Sequence, residues 1–256
     1  MLSLTSTFGR EQTEADKTVP VLPLEVRQLV YTVGGQRLID GINLTLTHGS
    51  RTVVLGPNGA GKSLLLRLLH GLLEPSHGSI VWGAAPLNAS LRRRQAMVFQ
   101  RPVLLRRSVR ANIHFVLNLS HYSRTERAKR LQHVLDIAGL SALVDRPARV
   151  LSIGEQQRLA IARALAVEPE VLFLDEPTAS LDPTSVAAIE DIIRAADAQG
   201  TKIILVTHDL GQARRLAGDI VFLHQGQVAE HTHAEQFFSQ PTSGAARAYL
   251  NGQLLL

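Results

Sequence analysis

Gly56-Pro57-Asn58-Gly59-Ala60-Gly61-Lys62-Ser63 satisfies the pattern G-x-x-x-x-G-K-[ST] at every fixed position. It follows the apolar run Val53-Val54-Leu55 directly and opens the helical stretch Leu64 to Leu73. A strand that enters a glycine-rich loop and leaves as a helix is the context in which this pattern binds phosphate. Glycines let the backbone approach an anion and turn its N–H groups inward. The helix that begins near Gly61 points the positive end of its dipole at the same place. The reading therefore assigns Gly56, Pro57, Asn58, Gly59, Ala60, Gly61, Lys62, Ser63 and Leu64 to nucleotide binding. Lys62 is expected to bridge the outer phosphates, and Ser63 Oγ to ligate Mg2+.

Outward from this loop, the runs Val171-Leu172-Phe173-Leu174 and Lys202-Ile203-Ile204-Leu205-Val206 resemble Val53-Val54-Leu55. None alternates with polar residues, as expected for strands buried on both faces. Helix-like segments lie between them, at Gly61 to Leu72, Glu155 to Ala166 and Thr184 to Asp197. Strands alternating with helices imply an α/β fold with a mostly parallel sheet. Asp175-Glu176 closes one apolar run, which puts two carboxylates at the carboxyl end of a buried strand, where open α/β sheets bind ligands. Asp175 is read as a metal ligand, and Glu176 as the base that orients or deprotonates an attacking water.

The rest of the chain sets limits. At 256 residues and 45% hydrophobic composition it suits one large domain or two small ones. It has no cysteine, which excludes a disulfide framework, a thiolate zinc site and a cysteine nucleophile. A net charge of +5 admits a nucleic-acid partner, but aromatics are only 4% and stacking platforms are scarce, so nucleic acid is an unlikely partner. No apolar run approaches the ~18 residues of a membrane span, and the start lacks the pattern of a secretory signal. The expectation is a cytoplasmic chain whose membrane contact is peripheral. Residues 1–22 read as a flexible extension. Ser108 to Ala142, dense in arginine and without a strand-like run, reads as part of a helical insertion over about residues 101–155. Residues 241–256 read as a short helix and a loose tail.

Leu151-Ser152-Ile153-Gly154-Glu155-Gln156-Gln157-Arg158 lies between the glycine-rich loop and the paired acids. With this segment in that order, the chain resembles the nucleotide-binding subunits of ABC transporters over about Leu24 to Gln240. The segment looks like the family signature LSGGQ. The resemblance implies a P-loop NTPase core with a helical subdomain, the ABC ATPase fold. It implies a transport-coupled ATP hydrolase that uses ATP and Mg2+. Two chains would lie head to tail, each ATP held between the loop of one and Ser152, Ile153, Gly154 and Glu155 of the other. By the same resemblance, Tyr31 stacks on adenine, Gln100 senses Mg2+ and the lytic water, Asp182 sits on the loop that crosses between subunits, and His208 touches the γ-phosphate. The metal set is then Ser63, Gln100 and Asp175, and the catalytic set Glu176, His208 and Gln100. Ile153 departs from the pattern, which usually has glycine there. If that position required a positive φ, a β-branched residue would suit it badly, and the site would close less tightly.

The membrane-spanning subunits would be a separate permease, with a solute-binding protein acting indirectly. The chain itself would be peripheral on the inner face of the cell membrane. Val98 to Val109 looks closest to the subunits of tungstate-type oxyanion importers, which places tungstate ahead of molybdate, phosphate or amino acids as cargo. The rival reading is a soluble ABC ATPase acting on nucleic acid or ribosomes. Such proteins commonly carry two cassettes or a long coiled-coil insertion, and here there is one glycine-rich loop and a short helical stretch. No guanine-specifying NKxD motif is present to favour a GTPase.

Overall fold

The unbroken apolar runs become the inner strands of a six-stranded sheet. The computed structural model describes residues 20–83 and 85–253. In chain order the strands are β1 (Leu24–Val33), β2 (Gln36–Leu46), β3 (Thr52–Leu55), β4 (His77–Trp82), β5 (Ala85–Pro86), β6 (Gln95–Val98), β7 (Val171–Asp175), β8 (Lys202–Val206), β9 (Asp219–His224) and β10 (Gln227–His233). The helices are α1 (Lys62–His70), α2 (Ala89–Arg93), α3 (Val109–Asn118), α4 (Arg124–Ile137), α5 (Ile153–Leu165), α6 (Pro183–Ala198), α7 (Leu210–Leu216), α8 (Ala234–Ser239) and α9 (Gly244–Leu250).

The larger sheet has the order β10-β9-β3-β8-β7-β6. All its pairs are parallel except β9 with β10. Alternate side chains of each inner strand enter different cores. Val53, Leu172, Leu174, Ile203, Leu205, Ile220 and Phe222 face a core shared with α3, α4, α5 and α6. Val54, Val171, Phe173, Ile204, Val206, Val221 and Leu223 face a second core shared with α1 and the other sheet. A strand buried on both faces has no solvent side to carry polar residues, which is why these runs do not alternate.

That other sheet, β2-β1-β4-β5, is antiparallel, and the sequence reading did not foresee it. Its strands are buried on one face only. In β2 the residues Ile42, Leu44 and Leu46 are buried while Asn43 and Thr45 are exposed. A search for continuous apolar runs passes over such period-two strands. The mostly parallel α/β core with its helices is as expected.

The boundaries shift in two places. Val21 and Leu22 are 0% and 2% exposed and belong to the second core, so the proposed extension over 1–22 ends earlier; residues 1–19 lie outside the described residues. Ile153 is already helical, two residues ahead of the expected start. The short helix expected within residues 241–256 is α9, and residues 254–256 lie outside the described residues. Ser243 caps α9 through Ala246 N, and Ala246 is fully buried. The arginine-dense stretch is helical, as α3 and α4, with a capping box at Ser123 and Glu126 starting α4. No described helix is long and apolar enough to cross a membrane.

His70, the last residue of α1, shows how the second core handles a polar ring. Its imidazole meets Phe173 edge-on at 5.6 Å, and Phe173 meets Trp82 the same way at 6.0 Å. His70 Nδ1 is buried without a hydrogen-bond partner. Burial, with a smaller push from Arg92, lowers the imidazole pKa from 6.5 to about 4. The folded chain therefore favours the neutral ring, and the unfolded chain takes up a proton first. Stability is complete above pH 6.5 and is lost as pH falls from 6.5 towards 4. Replacing His70 by Phe keeps the edge-on contact and removes this titration. Between pH 7 and 5 the wild type should lose on the order of 1 kcal/mol more than His70→Phe, about 3 °C in Tm, by calorimetry at both pH values.

Candidate functional site

The loop Gly56–Ser63 joins the carboxyl end of β3 to the amino end of α1, and its first glycine is sterically required. Gly56 has φ 152°, and a Cβ there would meet the carbonyl oxygen of Leu223, on the neighbouring strand β9, at 2.1 Å. No side chain caps the first turn of α1, and no acidic residue competes there. Its amides and the positive end of the helix dipole are directed at the loop. Asn58, Gly59, Gly61, Lys62, Ser63, Leu64 and Glu176 line a cleft of about 290 Å³ over this turn. Lys62 Nζ donates to the carbonyls of Gly56 and Pro57 at 2.9 and 3.0 Å. Burial lowers its pKa, opposed by the nearby Glu176 and Asp175 carboxylates.

Three neighbouring strands deliver the other polar groups. The parallel registers align Val98 with Leu174 and Asp175 with Val206. Gln100 and Glu176 each lie two residues beyond the paired Val98 and Leu174, and His208 lies two beyond Val206, so all three fall at the carboxyl edge of the sheet. Glu176 is the centre. His208 Nδ1 lies 3.1 Å from Glu176 Oε2, and Gln100 Nε2 lies 3.5 Å from the same oxygen. Ser63 Oγ donates to Asp175 Oδ1 at 2.7 Å. Asp175 is 4% exposed, and burial raises its carboxyl pKa, with the Ser63 hydrogen bond opposing.

Ser63 and Asp175 suit a small divalent cation. Both offer hard oxygen donors, and adjacent ligands in an octahedral Mg2+ shell sit about 2.9 Å apart. Among the described residues no group of three or more His, Cys, Asp or Glu side chains forms a cage. One hydroxyl and one carboxylate would hold such a metal with substrate oxygens completing the shell, which is the usual mode for Mg2+.

Tyr31 does not line the cleft. It stands on β1 opposite Ile39, whose Cδ1 would lie 2.8 Å from a Cβ added at Gly61. One register step therefore separates it from the loop.

A second group stands apart. None of Ser152, Ile153, Gly154, Glu155 and Asp182 lines the cleft. Ser152 caps α5, with Glu155 N donating to Ser152 Oγ and Ser152 N to Glu155 Oε2 at 3.2 and 2.7 Å. Ile153 is the first helical residue, is absent from the residues of positive φ, and is 65% exposed. The backbone there does not require glycine, which removes the conformational objection to isoleucine. Glycine is required one residue later. A Cβ on Gly154 would meet Ser185 Oγ at 2.3 Å and Cβ at 2.8 Å. Ser185 Oγ in turn donates to Asp182 Oδ2 at 2.6 Å, and Asp182 caps α6. Sequence reasoning missed Ser185, which carries no motif. It also missed Tyr249, whose hydroxyl donates to the His208 carbonyl.

The packing of Gly154 on Ser185 gives a direct test. Gly154→Ala overpacks the start of α5 and should cost about 2 kcal/mol, or about 6 °C in Tm. Ser185→Gly removes the clashing atoms, so adding it to Gly154→Ala should restore part of that loss although Ser185→Gly alone destabilises. Thermal unfolding of the three variants measures the coupling; simple addition of the two losses would exclude the contact.

The ABC transporter family profile matches residues 39–179, more than half of the chain. The chain is 38% identical over 248 residues to phosphate import ATP-binding protein PstB 2 of Natronomonas pharaonis, covering 91% of this chain and 87% of that one. It is 38% identical over 218 residues to tungstate uptake system ATP-binding protein TupC of Peptoclostridium acidaminophilum, covering 85% and 100%. The ATP-binding cassette MJ0796, solved as a dimer in a post-hydrolysis state bound to ADP and Pi, superposes with a TM-score of 0.74 at 28% identity, covering 82% of this chain and 98% of that one. The chain belongs to the ABC transporter family, as an ATP-binding subunit that hydrolyses ATP.

Proposed function

We propose that the chain energises import of a small oxyanion, such as tungstate, through a separate membrane permease, and that it works as a head-to-tail pair with a second copy. The observation that carries the pairing is the division of its polar groups. The cleft over Gly56–Leu64 and the exposed start of α5 at Ser152–Glu155 do not meet within one chain. The start of α1, which no side chain caps, suits an anion, and a second copy would supply the exposed, Ser152-capped start of α5 that the first cannot bring to its own cleft. The dimeric MJ0796 cassette supports this arrangement. Ile153 would then present an apolar side chain to the partner's nucleotide.

In the cleft, Lys62 leaves the carbonyls of Gly56 and Pro57 to hold the outer phosphates, joined by the amides at the start of α1. Tyr31 packs against the base. Ser63, Asp175 and Gln100 are the residues that would hold Mg2+, which supplies charge neutralisation for the departing phosphate oxygens. Glu176 orients the attacking water and accepts its proton. His208 donates to Glu176 or to the γ-phosphate and fixes the carboxylate, and Gln100 reports the occupancy of the cleft to the helical subdomain. Asp182, exposed at the start of α6, faces the second copy.

The oxyanion reading rests on relatives. The chain is as similar to a phosphate import subunit as to a tungstate uptake subunit. Both cargoes are tetrahedral oxyanions, and the stretch Val98 to Val109 favours tungstate. The cargo would be recognised by a solute-binding protein, and this chain would sit on the inner face of the membrane against the permease. Gentle detergent extraction of a tagged chain should recover a multi-span permease together with a binding protein that takes tungstate ahead of molybdate and phosphate. Recovery of nucleic acid or ribosomes in place of a permease would favour the soluble ATPase reading. For the chemistry, Glu176→Gln should lower ATP turnover at least about 100-fold. It should also leave an ATP-bound dimer detectable by size-exclusion chromatography. Turnover equal to that of the wild type would remove Glu176 from its role.

A further inference from the structure

Helix α9 reaches back to His208. Helix α9 is fixed at its start by the buried carboxylate of Glu230, which accepts from Thr242 N and Ser243 N at 3.0 and 2.8 Å. Its middle is held by Ala246, which is fully buried. Near its end the Tyr249 ring packs on Phe222, with centroids 5.2 Å apart and planes inclined at 49°. Phe222 belongs to β9 and is paired with Leu55, the residue before the phosphate-binding loop. The phenol hydroxyl of Tyr249 donates to the carbonyl oxygen of His208 at 3.4 Å.

His208 needs such a support. Its side chain is 56% exposed, and its contact to Glu176 is a single 3.1 Å approach. The flanking residues are committed elsewhere. Thr207 N donates to Val54 O, Asp209 N donates to Thr207 Oγ1, and the Asp209 carboxylate caps α7. The peptide plane after His208 is therefore set by Asp209 on one side and by Tyr249 on the other. The groups around the phenol keep it a donor. Burial raises its pKa, and the carboxylates of Glu176 and Asp209 raise it further.

We propose that Tyr249 is a positioning residue for His208, holding that residue's own carbonyl so that the imidazole stays aligned with Glu176. This rests on the reading above in which His208 and Glu176 serve ATP hydrolysis. Through Glu230, α9 and Tyr249, the carboxyl-terminal segment braces the reaction centre from a part of the chain that carries no nucleotide motif. Tyr249 does not touch substrate, so its removal should change turnover without changing nucleotide affinity.

The test uses the full-length chain with Tyr249→Phe, which keeps the ring on Phe222 and removes only the hydroxyl. Its kcat for MgATP should fall about five-fold, the worth of one net hydrogen bond, with KM within about two-fold and Tm within about 2 °C of wild type. The carbonyl 13C resonance of His208 should move in the same variant. His208→Ala, measured in parallel, should lose most of its activity. Three outcomes overturn the proposal: unchanged kcat in Tyr249→Phe while His208→Ala is impaired; a fall in kcat with no change at the His208 carbonyl; or a rise in KM equal to the fall in kcat. Full activity in His208→Ala would instead overturn the role of His208 itself, and the proposal with it.

Discussion

Burial of the six-stranded sheet on both faces dictates where chemistry can occur. With one core on each side, the inner strands have no place for a polar side chain except at their two ends. The two ends are used differently. At the amino edge Asp219 accepts hydrogen bonds from Ser50, Thr52 and His231, and Lys202 donates to the Ser50 carbonyl. Burial alone would raise the Asp219 carboxyl, but these donors bring its pKa below the ordinary value. At the carboxyl edge Asp175 has one donor, Ser63, and burial prevails. The satisfied network closes the bottom of the sheet. The under-satisfied one has capacity left for a cation and phosphate oxygens.

The same edge is mechanically tied to the helical subdomain. Gln157 Nε2, on α5, donates to the carbonyl of Phe99 at 3.2 Å, and Arg163 on the same helix donates to the carbonyl of Val103 at 2.7 Å. Gln100 lies between these anchor points. A rigid shift of α5 would carry the segment after β6 with it and change the distance from Gln100 to Glu176. At its other end α5 rests on Ser185 through Gly154, and Ser185 holds Asp182. One helix thus touches the segment proposed to sense the nucleotide and the loop proposed to face a second copy. An element in contact with both places can be biased from either one.

What the sequence made legible follows from how locally each feature is encoded. The phosphate loop is written in eight successive residues, with glycines at 56, 59 and 61 followed by Lys62 and Ser63, so it can be read without knowing the rest of the fold. The acids at 175 and 176 were placed by the apolar run before them. The antiparallel sheet was not legible, because the second half of β2 alternates the buried apolar Ile42, Leu44 and Leu46 with the exposed Asn43 and Thr45, and so offers no continuous apolar run. The geometry at Ile153 and Gly154 was read in part. The family pattern drew attention to 153, but the steric demand falls on 154, and it comes from Ser185 on another helix. Tyr249 was out of reach for the same reason, since its contact joins residues 41 positions apart.

Asp175 and Glu176 are neighbours in sequence yet both end in the same site, which an extended strand forbids. Successive residues of a strand point to opposite faces. Asp175, the last residue of β7, turns towards Ser63, so a regular continuation would send Glu176 away from the loop. Instead Glu176 has φ 46°, the left-handed region that a non-glycine residue enters at a cost of about 1 kcal/mol or more. The turn is held by Glu176 N donating to Val206 O at 3.0 Å and by Ala179 N donating to the carbonyl of Glu176. These bonds come from the adjacent strand and from the following turn, so the conformation is imposed from both sides. Glycine would relieve the strain but could not supply a carboxylate. The strained backbone brings a second acid to the cleft beside one already committed to Ser63, and it leaves Glu176 free to meet His208 and Gln100.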